Sequence, residues 1–336
     1  MNEFEVVKNK ERTLLYDVAK GICIISVVLG HLGIATRFVY FYHLPVFFFI
    51  SGIFLDAEKY SLKEFLLKKI KSLYIPYVIF SLLFAIIFDF SNMTNIKYVL
   101  RIFLFDGKAP FTGTFWFIPC LFINSTFAFA AEKLTVKLSK CTQQKIYFGL
   151  FLYYICLTFS FQKYNISMFY NLHLIPWLQI IYIFAHLFRE YKFLRFFERK
   201  LTSLILGVFA FIIILLFVLL TNLRIDIVNN QFSNTPLWMF FIFTGVCFVF
   251  GLSSLIQNLN IFNLIGKHSF YIMCFHFVTF AFINFCFSRF IDFNLDWKMK
   301  YPSYWYIYCM GGVFLPLALS FLVNFVRERA KLICKK

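Results

Sequence analysis

Apolar runs long enough to cross a lipid bilayer recur from one end of this chain to the other, and nothing else in the sequence restricts the fold as strongly. A helix needs about 20 mostly apolar residues to span the hydrocarbon core. Ten stretches meet or approach that length: 13–34, 39–55, 72–89, 115–131, 146–161, 173–188, 202–221, 237–257, 269–287 and 304–326. Within lipid every backbone N–H and C=O must be satisfied by the protein itself, which leaves helices or closed barrels. These runs are too long and continuous for the alternating strands of a barrel. Composition agrees, since 61% of the 336 residues are hydrophobic and only 15% are charged. Soluble globular chains do not show that balance. The expected fold class is all-α, a polytopic membrane bundle of about ten transmembrane helices.

The formal net charge of +17 follows topology and needs no nucleic-acid partner to explain it. With residues 1–12 placed in the cytoplasm, 23 of the 33 lysines and arginines fall on inner segments, 9 on outer segments, and Lys20 lies within a span. Cytoplasmic segments of membrane proteins carry this excess. Both termini are therefore expected in the cytoplasm, with 327–336 as a basic tail. Inner basic residues also attract the headgroups of membrane lipids.

Connections between the runs are short, the longest outer one covering 89–114, so 1–336 reads as a single integral membrane domain. Segment 61–71, SLKEFLLKKIK, reads as a short helix on the cytoplasmic surface: Ser61 and Glu64 have capping-box spacing, and Leu62, Phe65, Leu66 and Ile70 form an apolar side. The nine cysteines lack any CxxC spacing and suit small buried apolar positions better than metal or redox work. No metal is expected. The first run is full length, lacks a small-residue cleavage pattern, and reads as a retained anchor.

That first run contains what a lipid-facing helix should not. Asp17, Lys20 and His31 interrupt it, and His43 follows in the second run. A charge at bilayer depth costs about 2.5 to 3.5 kcal/mol on insertion scales, so such residues mark protein interiors, watery cavities or functional paths. The eleven-residue step from Lys20 to His31 leaves the two about 20° apart around a helix and about 16 Å apart along it. Asp17 lies three residues before Lys20, where the opposite charges can pair. Both histidines fall in the outer half of the membrane on adjacent antiparallel helices. A neutral imidazole there can accept a proton from an alcohol, whereas a merely structural histidine would bond a neighbouring carbonyl.

Other candidates are less insistent. His276 is mid-span and can line the same cavity, while His173, His186 and His268 lie near span ends, where structural roles are favoured. Lys68, Lys69 and Lys71 precede the third span, and Lys68 and Lys71 share a helix face at i, i+3. They could hold the phosphates of a nucleotide-bearing donor, although headgroup attraction explains the same residues. Trp116 fits an aromatic belt or a stacking platform for a sugar, and Pro119 is expected to loosen its helix beside a cavity.

The ordered motifs resemble the acyltransferase-3 family of integral membrane acyltransferases. They are D-x-x-K-G-I with a histidine eleven residues after the lysine, H-L-P-V-F-F-F-I-S-G, K-K-I-K-S-L-Y-I-P-Y, W-F-I-P, and the late I-G-K-H-S-F-Y-I-M-C-F-H from Ile265 to His276. The likeness covers nearly the whole chain and is nearest to the stand-alone sugar O-acetyltransferases. It implies transfer of an acetyl group from cytoplasmic acetyl-CoA to a hydroxyl of a cell-surface glycan or lipid-linked saccharide, in a bacterial plasma (inner) membrane. Lys20 and His31 match the family's basic-x10-histidine motif, and His43 matches the histidine before the Pro-Phe-Phe run. Lys68 and Lys71 stand where the family has paired arginines. This is a departure, because an ammonium lacks the bidentate fork of a guanidinium.

On this resemblance His31 is expected as general base on the acceptor hydroxyl, with Lys20 and Asp17 shaping the donor path. His43 would orient the acceptor or stabilise the oxyanion. Lys68, Lys69 and Lys71 would hold the donor, and Trp116 and His276 would contact the acceptor. An acetyl-histidine intermediate is the competing chemical route. The alternative class, a glycan or lipid transporter, predicts repeats with paired broken helices, and the sequence shows no such symmetry.

Overall fold

The structure, a computed structural model, describes residues 3–106, 115–221, 225–226, 231–232, 235–290 and 304–333. Its helices in chain order are α1 (Glu3–His31), α2 (Thr36–Val39), α3 (His43–Ile53), α4 (Leu62–Lys69), α5 (Ile75–Phe88), α6 (Ile96–Phe103) and α7 (Phe117–Thr135). They continue with α8 (Lys140–Lys163), α9 (Ile175–Glu190), α10 (Lys200–Leu220), α11 (Thr235–Ile256), α12 (Asn260–Lys267), α13 (Ser269–Phe290) and α14 (Trp305–Ile333). The one departure from all-α architecture among the described residues is a two-residue antiparallel bridge, β1 (Ile225–Asp226) against β2 (Gln231–Phe232). The chain is an all-α membrane bundle.

Eight described helical stretches are long and apolar enough to cross a bilayer, among them Leu14–His31, Leu62–Phe88, Ser269–Arg289 and Trp305–Val326. Two of the ten predicted runs are helical but outside this set. Run 39–55 folds as the 11-residue α3. Run 146–161 lies within α8, where Tyr, Ser and Thr dilute the apolar character. The capping box at the start of α4 forms as its spacing predicts: Glu64 N–H donates to Ser61 Oγ at 3.3 Å, and Ser61 N–H donates to Glu64 Oε2 at 2.8 Å. The helix leads into the third span without a break. A π-helical turn, Ile70–Tyr74, runs it directly into α5.

Two compact units make up the chain: Met1–Val46, Phe197–Thr221 and Thr244–Lys336 form the first, and Phe47–Phe196 with Asn222–Phe243 form the second. In the first unit, α1 packs on α12, α13 and α14, and small residues let the backbones approach. A Cβ on Gly21 would overlap the Phe262 carbonyl, and one on Gly266 would overlap the Asp17 carbonyl. Gly207 of α10 and Gly251 of α11 meet in the same manner. Such close approach replaces the hydrophobic driving force that lipid does not supply between helices.

In the second unit, α7 and α9 are joined by buried amides, with Gln179 Nε2 donating to the Asn124 carbonyl at 2.9 Å and to its Oδ1 at 3.0 Å. Gly52 on α3 admits the side chain of Ala185 and the ring of Tyr182 on α9.

Candidate active site

The first unit brings the rings of His31 and His276 together and carries His43 at the start of the next long helix. Helix α1 ends at His31, Gly33 turns the chain with φ 76°, Ala35 follows in the left-handed region, and the single turn α2 reverses direction into His43. Arg37 ties this turn down by donating to the Val218 carbonyl at 2.7 Å and to the Thr221 carbonyl, both at the C-terminal end of α10. Gly30 leaves room for the Tyr40 ring on α1, and that ring lies 5.2 Å from the His43 ring. Ser26 Oγ donates to the Ile22 carbonyl at 2.9 Å, so the Tyr42 hydroxyl, 2.9 Å away, is the donor to Ser26. These contacts fix the entry into α3.

His276 enters from α13. Its ring centroid is 5.2 Å from that of His31, with the planes 28° apart, and Phe277 packs 4.8 Å from His31 and 4.6 Å from His276. The three histidines differ in how their nitrogens are used. His43 Nδ1 lies 2.6 Å from the Val39 carbonyl and His276 Nδ1 lies 2.9 Å from the Ile272 carbonyl. A carbonyl only accepts, so each Nδ1 carries the hydrogen and each neutral ring keeps its Nε2 as an acceptor. No ring nitrogen of His31 has a hydrogen-bond partner among the described residues. His43 and His276 are buried, whereas His31 is half-buried.

One face of α1 carries the charges below His31. Lys20 Nζ lies 2.6 Å from Asp17 Oδ1, both side chains partly exposed, in the i, i+3 pairing that the spacing predicts. Asp17 sits where Gly266 presses on its carbonyl.

The lysines and Trp116 belong to the second unit. Lys68 is exposed with its ammonium 4.7 Å over the Tyr60 ring, Lys69 is half-buried 5.3 Å over Phe65, and Lys71 is exposed on the π turn. Lys71 lies one residue into the π turn, and the residues between it and Lys68 keep right-handed helical dihedrals, Lys69 with φ −68° and ψ −39° and Ile70 with φ −58° and ψ −49°. Trp116 is half-buried at the N-terminal boundary of α7, its ring 6.3 Å from Phe117. Pro119 occupies the first turn of that helix and does not loosen it, because the N–H it lacks would have no intrahelical partner there.

A second polar cluster escaped the reading of the sequence. Arg189 donates to Glu132 Oε1 at 2.7 Å, to the Leu55 carbonyl, and lies 3.2 Å from His186 Nδ1. His186 stacks on Tyr147 at 4.1 Å. A cavity of about 600 Å³ opens beside them, lined also by Thr135, Lys140, Gln143 and Glu190. Lys133 donates to the Ala57 and Tyr60 carbonyls at 2.7 and 2.9 Å. Two cations thereby pin the segment that leads into α4. The i, i+3 pair His186 and Arg189, with Glu132 at the end of an apolar run, was the signal available. Among the described residues no three His, Cys, Asp or Glu side chains converge as a metal-ligand set.

No curated protein and no solved structure matches the chain. The family model of the acyltransferase domain, acyltransferase-3, matches residues 15–321, which takes in most of α1 through most of α14 and includes His31, His43 and His276. A membrane bundle with that match has its general activity assigned, transfer of an acyl group from a donor to an acceptor. The chain belongs to the acyltransferase-3 family of membrane acyltransferases.

Proposed function

We propose that the protein is an O-acetyltransferase of the bacterial plasma membrane. It would take acetyl groups from cytoplasmic acetyl-CoA, with both its termini on that side, and pass them to a hydroxyl of a cell-surface glycan or lipid-linked saccharide. The observation that carries this reading is the ring contact between His31 and His276, with both nitrogens of His31 uncommitted while His43 and His276 each commit Nδ1 to a backbone carbonyl. An uncommitted, half-buried imidazole suits a general base.

In this mechanism His31 removes the acceptor hydroxyl proton as the oxygen attacks the thioester carbonyl. The C–O bond forms, the C–S bond breaks, and the departing sulfur takes the proton from His31. Neutral His43 offers an acceptor at Nε2 and no donor, so it suits orientation of the hydroxyl better than stabilisation of an oxyanion. Asp17 and Lys20 shape the donor path. Lys68, Lys69 and Lys71 attract the donor phosphates as point charges, and Trp116 supplies a face on which a sugar ring can stack.

Purified full-length protein supplied with labelled acetyl-CoA and saccharide extract is the test. Release of CoA with label appearing on a saccharide hydroxyl is expected, and loss of both in His31→Ala at unchanged abundance. Saccharide flux across vesicles without any CoA release would instead establish the transporter reading.

A further inference from the structure

His276 has a lone pair aimed at nothing. Its Nδ1–H is spent on the Ile272 carbonyl, which makes Nε2 an acceptor, and that Nε2 is fully buried with no hydrogen-bond partner. Proteins seldom leave such an atom unmet, and the exceptions concentrate at working sites. Phe277 and Phe280, which pack on the same ring at 4.6 and 5.7 Å, carry no N–H or O–H to offer. The neighbour that does is His31.

The spacing suits a bond between the two rings. Imidazoles joined by N–H···N, with the nitrogens about 2.9 Å apart, have centroids about 5 Å apart. The observed separation is 5.2 Å with planes inclined by 28° in a stacked arrangement, so the rings are already within that range and a turn of the His31 ring out of the stack is the motion that brings one of its nitrogens to His276 Nε2. Catalytic hydrogen bonds are commonly loose before substrate binds.

We propose that His276 is the positioning residue of the site: its Nε2 accepts a hydrogen bond from His31 and thereby fixes which His31 nitrogen faces the acceptor hydroxyl. The inference rests on the acyl-transfer reading above. It supplies the third group that a base requires, here an imidazole anchored by a backbone carbonyl in place of the usual carboxylate. One tautomer of His31 is selected once that bond forms. When His31 takes the hydroxyl proton, the N–H towards His276 stays bonded and the other N–H returns its proton to the leaving sulfur. No proton is left over.

Two substitutions separate this role from simple packing. The amide of His276→Asn can still donate to the Ile272 carbonyl but has no atom where Nε2 was, whereas His276→Gln can place an acceptor oxygen near that point. In full-length protein in nanodiscs, His276→Asn is expected to lower kcat about a hundredfold or more with the KM for acetyl-CoA unchanged, and His276→Gln to recover a substantial part. Nitrogen NMR of histidine-labelled protein should show one His31 tautomer in the wild type and a mixture in His276→Asn. The proposal is overturned if His276→Asn, at wild-type abundance and melting temperature, keeps its kcat, or if wild-type His31 populates both tautomers. Absence of CoA release by the wild type would sink the acyl-transfer reading instead, and the NMR result would still decide whether the two rings are bonded.

Discussion

Gly266 on α12 lies against the main-chain carbonyl of Asp17 on α1 so closely that a Cβ at 266 would overlap the oxygen. A hydrogen is therefore the only side chain that preserves this crossing, and the crossing sets the position of the Asp17–Lys20 pair. Gly266→Ala must push two backbones apart, an overpacking that costs about 1–3 kcal/mol or more. A lower melting temperature and lower abundance in the membrane are expected. Gly149 on α8 has no atom within 4 Å of its would-be Cβ. There Gly149→Ala should raise stability by roughly 0.5–1 kcal/mol through reduced chain entropy. Equal melting of wild type and Gly266→Ala would show that the helices do not meet as described.

The Asp17–Lys20 pair, at 2.6 Å with side-chain exposures of 16% and 27%, is shielded enough that breaking it should hurt more than removing it. Lys20→Met leaves a carboxylate without its partner. We expect a loss of about 1–3 kcal/mol, below the figure for a fully buried pair because water still reaches both groups. Asp17→Asn combined with Lys20→Met removes the stranded charge and should recover part of that stability. A double-mutant cycle on thermal unfolding measures the difference, and strict additivity would mean that the two side chains do not interact.

The sequence made the local half of this architecture readable, since the features concerned act within one or two helical turns. Apolar runs gave the helices, the i, i+3 spacing gave the Asp17–Lys20 ion pair, and Ser61 with Glu64 gave the cap. What escaped depends on distant chain segments or on a small change of helical pitch. His276 was expected beside the same cavity, but its ring contact with His31 follows from the packing of α13 against α1, which no periodicity encodes. The Glu132–Arg189 contact joins α7 to α9 in the same way. One π turn after Lys69 joins α4 to α5, and a helix start two residues before Pro119 removed the expected kink.

His268 provides a pH test outside the spans. It precedes α13, and because Ser320 Oγ donates to the Leu317 carbonyl at 2.6 Å, His268 Nδ1–H is the donor to Ser320 at 2.8 Å. Partial burial, reinforced by the adjacent Lys267, holds its pKa below the ordinary histidine value. The unfolded chain therefore binds the proton more readily than the folded one. The stability His268 contributes is complete above the unfolded pKa of about 6.5 and declines as pH falls from there through the folded value. The stability difference between wild type and His268→Asn should accordingly be greatest near neutrality and shrink on acidification, measured by thermal unfolding across that range. A difference that grew on acidification would require His268 to be protonated more readily in the folded protein, which burial beside Lys267 opposes.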